Sequence, residues 1–286
     1  MNGIPSLLVV DLDGTLLCPR GQVSQANRES LAAARRVGIE VMIATGRTHM
    51  ECIGTLDAIG YTGPLVIASG AALVDWPSGM TLHSTPLQQE DTLLAASTLQ
   101  SLGHSVMLLK DRHVADVDYT IIDSDRMHPT SSWWLDLHGV RCRHIDDLAQ
   151  DDSIESTLRI ASLGTPEEMA MAAEAIQAVL GDRVFWRHWP AVGRSGECVH
   201  MLEIFMHGVN KWTMVSQYCH GCGINVEKVA AIGDGLNDIE LLAGAGVGIA
   251  VENADQSVLA VADRTTRSHD EDGVAHAIEL LMDEGS

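Results

Sequence analysis

Residues 7–17 read Leu7-Leu8-Val9-Val10-Asp11-Leu12-Asp13-Gly14-Thr15-Leu16-Leu17. The four leading apolar residues show no polar alternation, the pattern of a short strand buried on both faces of a parallel sheet. Two acids and a Gly-Thr turn follow at once. A buried strand thus delivers Asp11 and Asp13 to its carboxyl end, where open α/β sheets bind their ligands. Two residues apart, the acids can face the same side. Adjacent carboxylates repel unless a cation sits beside them, so a hard ion such as Mg2+ is the natural partner. Taken alone, such a pair is more often an acidic turn. Three segments further along carry matching chemistry and shift that balance.

Outward from this stretch, Gln25 to Val37 has apolar residues at helical spacing, and Glu40 to Ala44 reads as a second buried strand. That strand ends in Thr45-Gly46-Arg47, before a helix over Thr48 to Ile59, so Thr45 falls in a strand-to-helix turn. A hydroxyl and free N–H groups there can hold a phosphate oxygen, although an ordinary helix cap would look the same. Leu65 to Ile67 is a third strand. Strand and helix in strict alternation predict a right-handed, doubly wound parallel sheet.

After about Leu82 the texture changes to strands and two long helices, Gln88 to Leu102 and Pro166 to Leu180. Four of the six tryptophans fall here, and packing explains them more simply than ligand stacking. This reads as an inserted α+β domain over residues 85–189, with the first fold formed by 1–84 and 190–286. The first fold resumes near Cys198. Asn210 caps a helix whose first turn carries Lys211, a cation opposed by the helix dipole unless an anion lies opposite. Glu227 to Ile232 forms a strand that delivers Asp234 and Asp238 within Gly233-Asp234-Gly235-Leu236-Asn237-Asp238. Val247 to Val251 is the next strand, followed by Asn253 and a helix over Asp255 to Ala262.

The 286 residues suffice for one or two domains, and no apolar run approaches the length of a membrane helix. The amino-terminal stretch lacks a basic region ahead of an apolar core, which argues against secretion. Six scattered cysteines fit reduced thiols in the cytoplasm, and Cys219-x-x-Cys222 stands without a second pair. A net charge of −21 disfavours nucleic acid. It also means that any phosphate ester must be met by local positive charge.

Asp11-Leu12-Asp13-Gly14-Thr15-Leu16, Thr45-Gly46-Arg47, Lys211 and Gly233 to Asp238 together resemble the four ordered motifs of the haloacid dehalogenase superfamily. The phrases GVNKW (208–212), GDGLNDIELL (233–242), GVGIAVENA (246–254) and DEDGVAHAI (270–278) are similar to the Cof-type phosphatases, whose type IIB cap is inserted between the second and third motifs. The resemblance implies an α/β, Rossmann-like doubly wound core with an inserted α+β cap that closes over substrate. It implies a Mg2+-dependent phosphomonoester hydrolase acting on small phosphorylated metabolites such as sugar phosphates. Asp11 would be the nucleophile that forms an aspartyl-phosphate, and Asp13 the acid and base. Thr45, Gly46, Arg47, Lys211 and Asn237 would hold the phosphoryl group, although Arg47 reads equally well as a surface charge. Mg2+ would be bound by Asp234, the Asp11 carboxylate and the Asp13 backbone carbonyl, with Asp238 orienting that group or Lys211. One departure stands out: Ser69-Gly70-Ala71 replaces the usual Asn-Gly-Ala.

The same superfamily includes phosphatases of mannosyl-phosphoglycerate and sucrose phosphate, as well as phosphomutases. Gly235 favours the Cof type over them. A non-catalytic sensor of a phosphorylated ligand is the reading from another class, and the presence of all four charged motif residues weighs against it. The expected state is a cytoplasmic monomer or small homo-oligomer, without nucleic-acid or membrane partners.

Overall fold

The computed structural model describes residues 3–192 and 198–283. In chain order the strands are β1 (Leu7–Val10), β2 (Glu40–Ala44), β3 (Gly63–Ile67), β4 (Ala72–Trp76), β5 (Thr81–Ser84), β6 (Val106–Lys110), β7 (Tyr119–Ile122), β8 (Cys142–Ile145), β9 (Thr157–Gly164), β10 (Val184–Val192), β11 (Cys198–Met206), β12 (Val229–Gly233), β13 (Val247–Val251) and β14 (Arg264–Thr266). The helices are α1 (Gln25–Arg36), α2 (His49–Ala58), α3 (Gln89–Ser101), α4 (Pro129–Leu137), α5 (Pro166–Leu180), α6 (Lys211–Cys222), α7 (Ile239–Gly244), α8 (Gln256–Val261) and α9 (Gly273–Asp283). The chain divides into two compact units, Met1–Leu82 with Asn210–Ser286, and His83–Val209.

The first unit is built on the sheet β14-β13-β12-β1-β2-β3-β4-β5. β1 lies inside it, parallel to β12 on one side and to β2 on the other. All four of its residues are buried, as an unalternating apolar run requires when both faces are covered. β12, β13 and β14 continue the parallel array. β4 turns back antiparallel on β3. The carboxyl ends of β1, β2 and β12 therefore open on one edge, and each ends in one of the motifs singled out above.

The second unit has the sheet β10-β11-β9-β6-β7-β8. Its core joins Leu202, Ile204, Ile160, Leu108 and Val106 to Met169 and Ile176 of α5 and Leu99 of α3. With side chains alternating along a strand, Glu203 falls on the opposite face. There its Oε1 accepts from Arg159 Nη1 (2.5 Å), and its Oε2 accepts from Arg187 Nε (2.9 Å) and Trp189 Nε1 (3.0 Å). Arg159 also donates to the Tyr119 hydroxyl (2.6 Å). Trp186 donates to Gln177 at 2.8 Å. Both indoles are thus tied into the unit.

β11 differs from the sequence reading, which placed residues from 190 onward in the first fold. It pairs antiparallel with β9 and β10, so the unit runs on to Val209. α4, β4, β5 and β14 were not anticipated.

Candidate active site

β1 ends at Val10, and the chain then makes one wide turn closed by i to i+5 bonds, Leu16 N to Asp11 O (3.3 Å) and Leu17 N to Leu12 O (2.9 Å). Turns of this width are uncommon and concentrate at functional sites. Gly14 sits in it at φ +76, and a Cβ there would stand 2.2 Å from Asp234 Oδ2. A glycine is required both for the backbone angle and for the close approach. Thr15 Oγ1 donates to Asp234 Oδ1 at 2.7 Å, which couples the turn to the end of β12.

Lys211 is the first residue of α6, capped by Asn210, whose Oδ1 accepts from Thr213 N (2.8 Å). Its ammonium is fully buried and bridges two acids, Asp11 Oδ1 at 2.5 Å and Asp238 Oδ1 at 2.7 Å. Gly70 brings the loop after β3 against this helix start: at φ +106, its Cβ would lie 2.1 Å from Asn210 O. Ser69 beside it has φ +57 and ψ 26, the left-handed region that asparagine tolerates better than serine. Asparagine, which the family resemblance leads one to expect here, would meet less strain at this angle.

Asp238 uses both oxygens within the protein. Its Oδ2 accepts from the backbone of Asp234 (3.2 Å) and Gly235 (3.0 Å), while its Oδ1 holds Lys211. Asp11, Asp234 and Asp238 nevertheless offer oxygens that all lie within 4.8 Å of one another. Of these three carboxylates, the Lys211 ammonium contacts two, Asp11 and Asp238. Burial pushes the Asp11 carboxyl well above the usual range against the pull of Lys211, and Asp238 and Asp234 add to the push. Burial, with Asp238 adding to it, raises Asp234 to about 6. Burial would lower the Lys211 pKa, but Asp11 and Asp238 outweigh it and hold the pKa above its ordinary value. The centre is short of positive charge, and its donors are all oxygen. Both properties fit a hard divalent cation.

The remaining predicted residues are placed less uniformly. Thr45 is buried at the end of β2, and its Oγ1 accepts from Arg47 N (3.1 Å). Asn237 Nδ2 lies where a Cβ on Gly46 would approach it at 3.5 Å, so the second and fourth motifs meet. Arg47 is taken up by Asp13: Nε to Oδ2 is 2.8 Å and Nη2 to Oδ1 is 2.6 Å, with the Asp13 side chain 57% exposed. Of the two acids on the β1 turn, Asp11 turns inward to Lys211 and Asp13 outward to Arg47. Sequence reasoning gave no role to Thr15 or Asn253. Asn253 Nδ2 donates to Gly14 O at 2.8 Å. Its position just past a strand that ends beside the site was the available signal.

These parts define a class: a doubly wound α/β protein with a lysine-bridged, carboxylate-rich centre at the strand ends. Residues 8–278 match the haloacid dehalogenase-like hydrolase family, and the chain belongs to that family, in its Cof-type branch. It is 27% identical to the phosphatase YwpJ of Bacillus subtilis (strain 168), over 96% of this chain and 99% of that one. It is 25% identical to the pyridoxal phosphate phosphatase YbhA of Escherichia coli (strain K12), over 95% and 97%. A crystal structure of a haloacid dehalogenase-like hydrolase from Bacteroides thetaiotaomicron superposes with a TM-score of 0.79 at 25% identity, covering 97% of this chain and 99% of that chain.

Proposed function

We propose that this phosphatase hydrolyses small phosphorylated metabolites through an aspartyl-phosphate on Asp11, with Mg2+ as cofactor. Phosphatase chemistry rests on the family and on the phosphatases among its relatives. The observation that carries the finer reading is the Lys211 bridge, which holds one oxygen of Asp11 in a buried, cation-deficient centre. Asp11 and Asp234 would hold the metal together with the Asp13 backbone carbonyl. Asp238, whose oxygens are already engaged, keeps Lys211 and the Asp234 loop in place. When bound, the ion supplies charge neutralisation for the phosphoryl oxygens and for the crowded acids.

In the first step an Asp11 oxygen bonds to phosphorus in line with the leaving oxygen, and the bond from phosphorus to that oxygen breaks. Asp13, released from Arg47 and protonated from solvent, gives that proton to the leaving oxygen, which departs as the alcohol. In the second step Asp13 takes a proton from water, whose oxygen displaces Asp11 and releases inorganic phosphate. Thr45, Lys211, Asn237 and the Gly46 backbone would meet the phosphoryl oxygens. Asp13 must exchange Arg47 for the substrate oxygen to do its part, which leaves the guanidinium to face the anion.

A panel of sugar phosphates, pyridoxal phosphate and other small esters, assayed for phosphate release with Mg2+ and with chelator, tests this directly. Turnover should need Mg2+ and vanish in Asp11→Asn. Undiminished turnover in Asp11→Asn would sink the covalent route, and activity in chelator would sink the metal. The sugar-phosphate preference falls if those esters rank below the rest.

A further inference from the structure

We infer that Asn253 is a positioning residue for the nucleophile turn, a role that rests on the phosphatase reading above. Asn253 follows β13 and is exposed, so it contributes nothing to a core. Yet both ends of its amide are engaged. Nδ2 donates to the Gly14 carbonyl at 2.8 Å, while Oδ1 accepts from His269 N at 2.8 Å and Ser268 Oγ at 3.1 Å. A carbonyl on one side and an N–H on the other admit only one orientation of the amide.

The contact at Gly14 is one of two. His269 Nδ1 lies 2.7 Å from Leu17 O, so residues 268–269 grip the turn at its end directly and at its apex through Asn253. Two residues on, Asp255 N donates to Asp234 O at 3.1 Å. A single short segment, 253–255, therefore binds the backbone of the turn carrying Asp11 and Asp13 and the backbone of the loop carrying Asp234.

The consequence lies in spacing. Gly14 abuts the Asp234 carboxylate, and Thr15 donates to it. Withdrawing the Asn253 donor frees the Gly14–Thr15 peptide to rotate, and with it the separation between the Asp11 and Asp234 carboxylates. In-line attack tolerates little of this, because a displacement of about 1 Å can cost roughly a hundredfold in rate.

Two variants separate positioning from bulk stability. Asn253→Ala removes both halves of the strap. Asn253→Asp keeps an acceptor for His269 but turns a second oxygen toward the Gly14 carbonyl, so it should share the defect. In metal-free protein, the amides of Leu16 and Leu17, which close the turn, should exchange hydrogen about tenfold faster in both variants, the scale of one lost hydrogen bond. In the active enzyme kcat should fall by about tenfold or more while KM and Tm stay near wild type. Unchanged exchange overturns the inference whatever the activity, and so does faster exchange with unchanged kcat. A parallel fall in Tm would make the role structural and also overturn it. If wild type turned over no ester while exchange accelerated in both variants, the strap would stand and the phosphatase reading would fail.

Discussion

Lys211 holds two acids at once, and its charge is the only cation the described residues place on Asp11. Removing it has opposite effects on two measurable quantities. Lys211→Met should lower turnover by about a hundredfold, the usual cost of removing one pre-organised cation from developing charge. The same change should tighten Mg2+ binding, because Asp11 Oδ1 loses its competing partner. Isothermal titration reads the second effect, and weaker binding would mean that Lys211 orients Asp11 instead of competing for it. At this scale the sequence was most legible. Carboxylates and a threonine at strand ends and a lysine at a helix start stand out by type and spacing, and Asp11, Asp234, Asp238 and Lys211 do come together. Arg47 did not stand out, since its pairing with Asp13 depends on which way an exposed acid turns. Asn253 gave only its position after a strand, which ordinarily marks a turn residue, and its partner Gly14 lies 239 positions away.

β1, β2, β3, β12 and β13 could be read from uninterrupted apolar runs, and α5 from its Thr165-Pro166 start and its spacing. The failures have physical causes. α4 is nine residues long, carries Trp133 and Trp134, and is capped by His128, whose Nδ1 accepts from Thr130 N at 3.2 Å, a cap that composition does not advertise. β11 was assigned to the first fold because it ends just before Lys211. Its ladders with β9 and β10 place it in the second sheet, where the buried Glu203 meets one arginine from each of those strands. That acid gives the element a pH dependence. Burial pushes the Glu203 carboxyl up, but Arg159 and then Arg187 outweigh it, and the pKa lies below its ordinary value. The folded unit therefore binds fewer protons here than the unfolded chain. The resulting stability is full above the unfolded value of about 4.3 and drains away as pH falls through the folded one. Acid titration followed by tryptophan fluorescence should show loss of structure around Trp189 in that window. Glu203→Gln should lose this pH dependence and be weaker at neutral pH by about 3 kcal/mol, since the buried Arg159 charge loses its carboxylate. A variant as stable as wild type at pH 7 would contradict the assignment.

Over the whole molecule, a charge of −21 opposes the approach of any phosphate ester. Exposed charges act over about 10 Å at 0.1 M salt, so screening should help binding. With Mg2+ saturating, KM for an anionic ester should fall as sodium chloride is raised, while kcat holds. A KM that climbs with salt would mean that the local cations dominate even at the site mouth. The two-unit plan was visible in the sequence as a change of texture, whereas its later boundary was not, because β11 leads straight into the segment that carries Lys211.

The placement of β1 between β2 and β12 has a further consequence during synthesis. β2 leaves the ribosome soon after β1, but β12 and Lys211 lie some 200 residues downstream. At roughly 5–20 residues per second, that is a wait of about ten to forty seconds. The continuous second unit can fold in the interval, while the edge of β1 stands unmatched and Asp11 has no lysine. The Lys211–Asp11 contact and the β1–β12 pairing therefore form only after both downstream segments have emerged. During that wait the apolar residues of β1 lack one of their two neighbouring strands, the kind of exposed surface that chaperones cover.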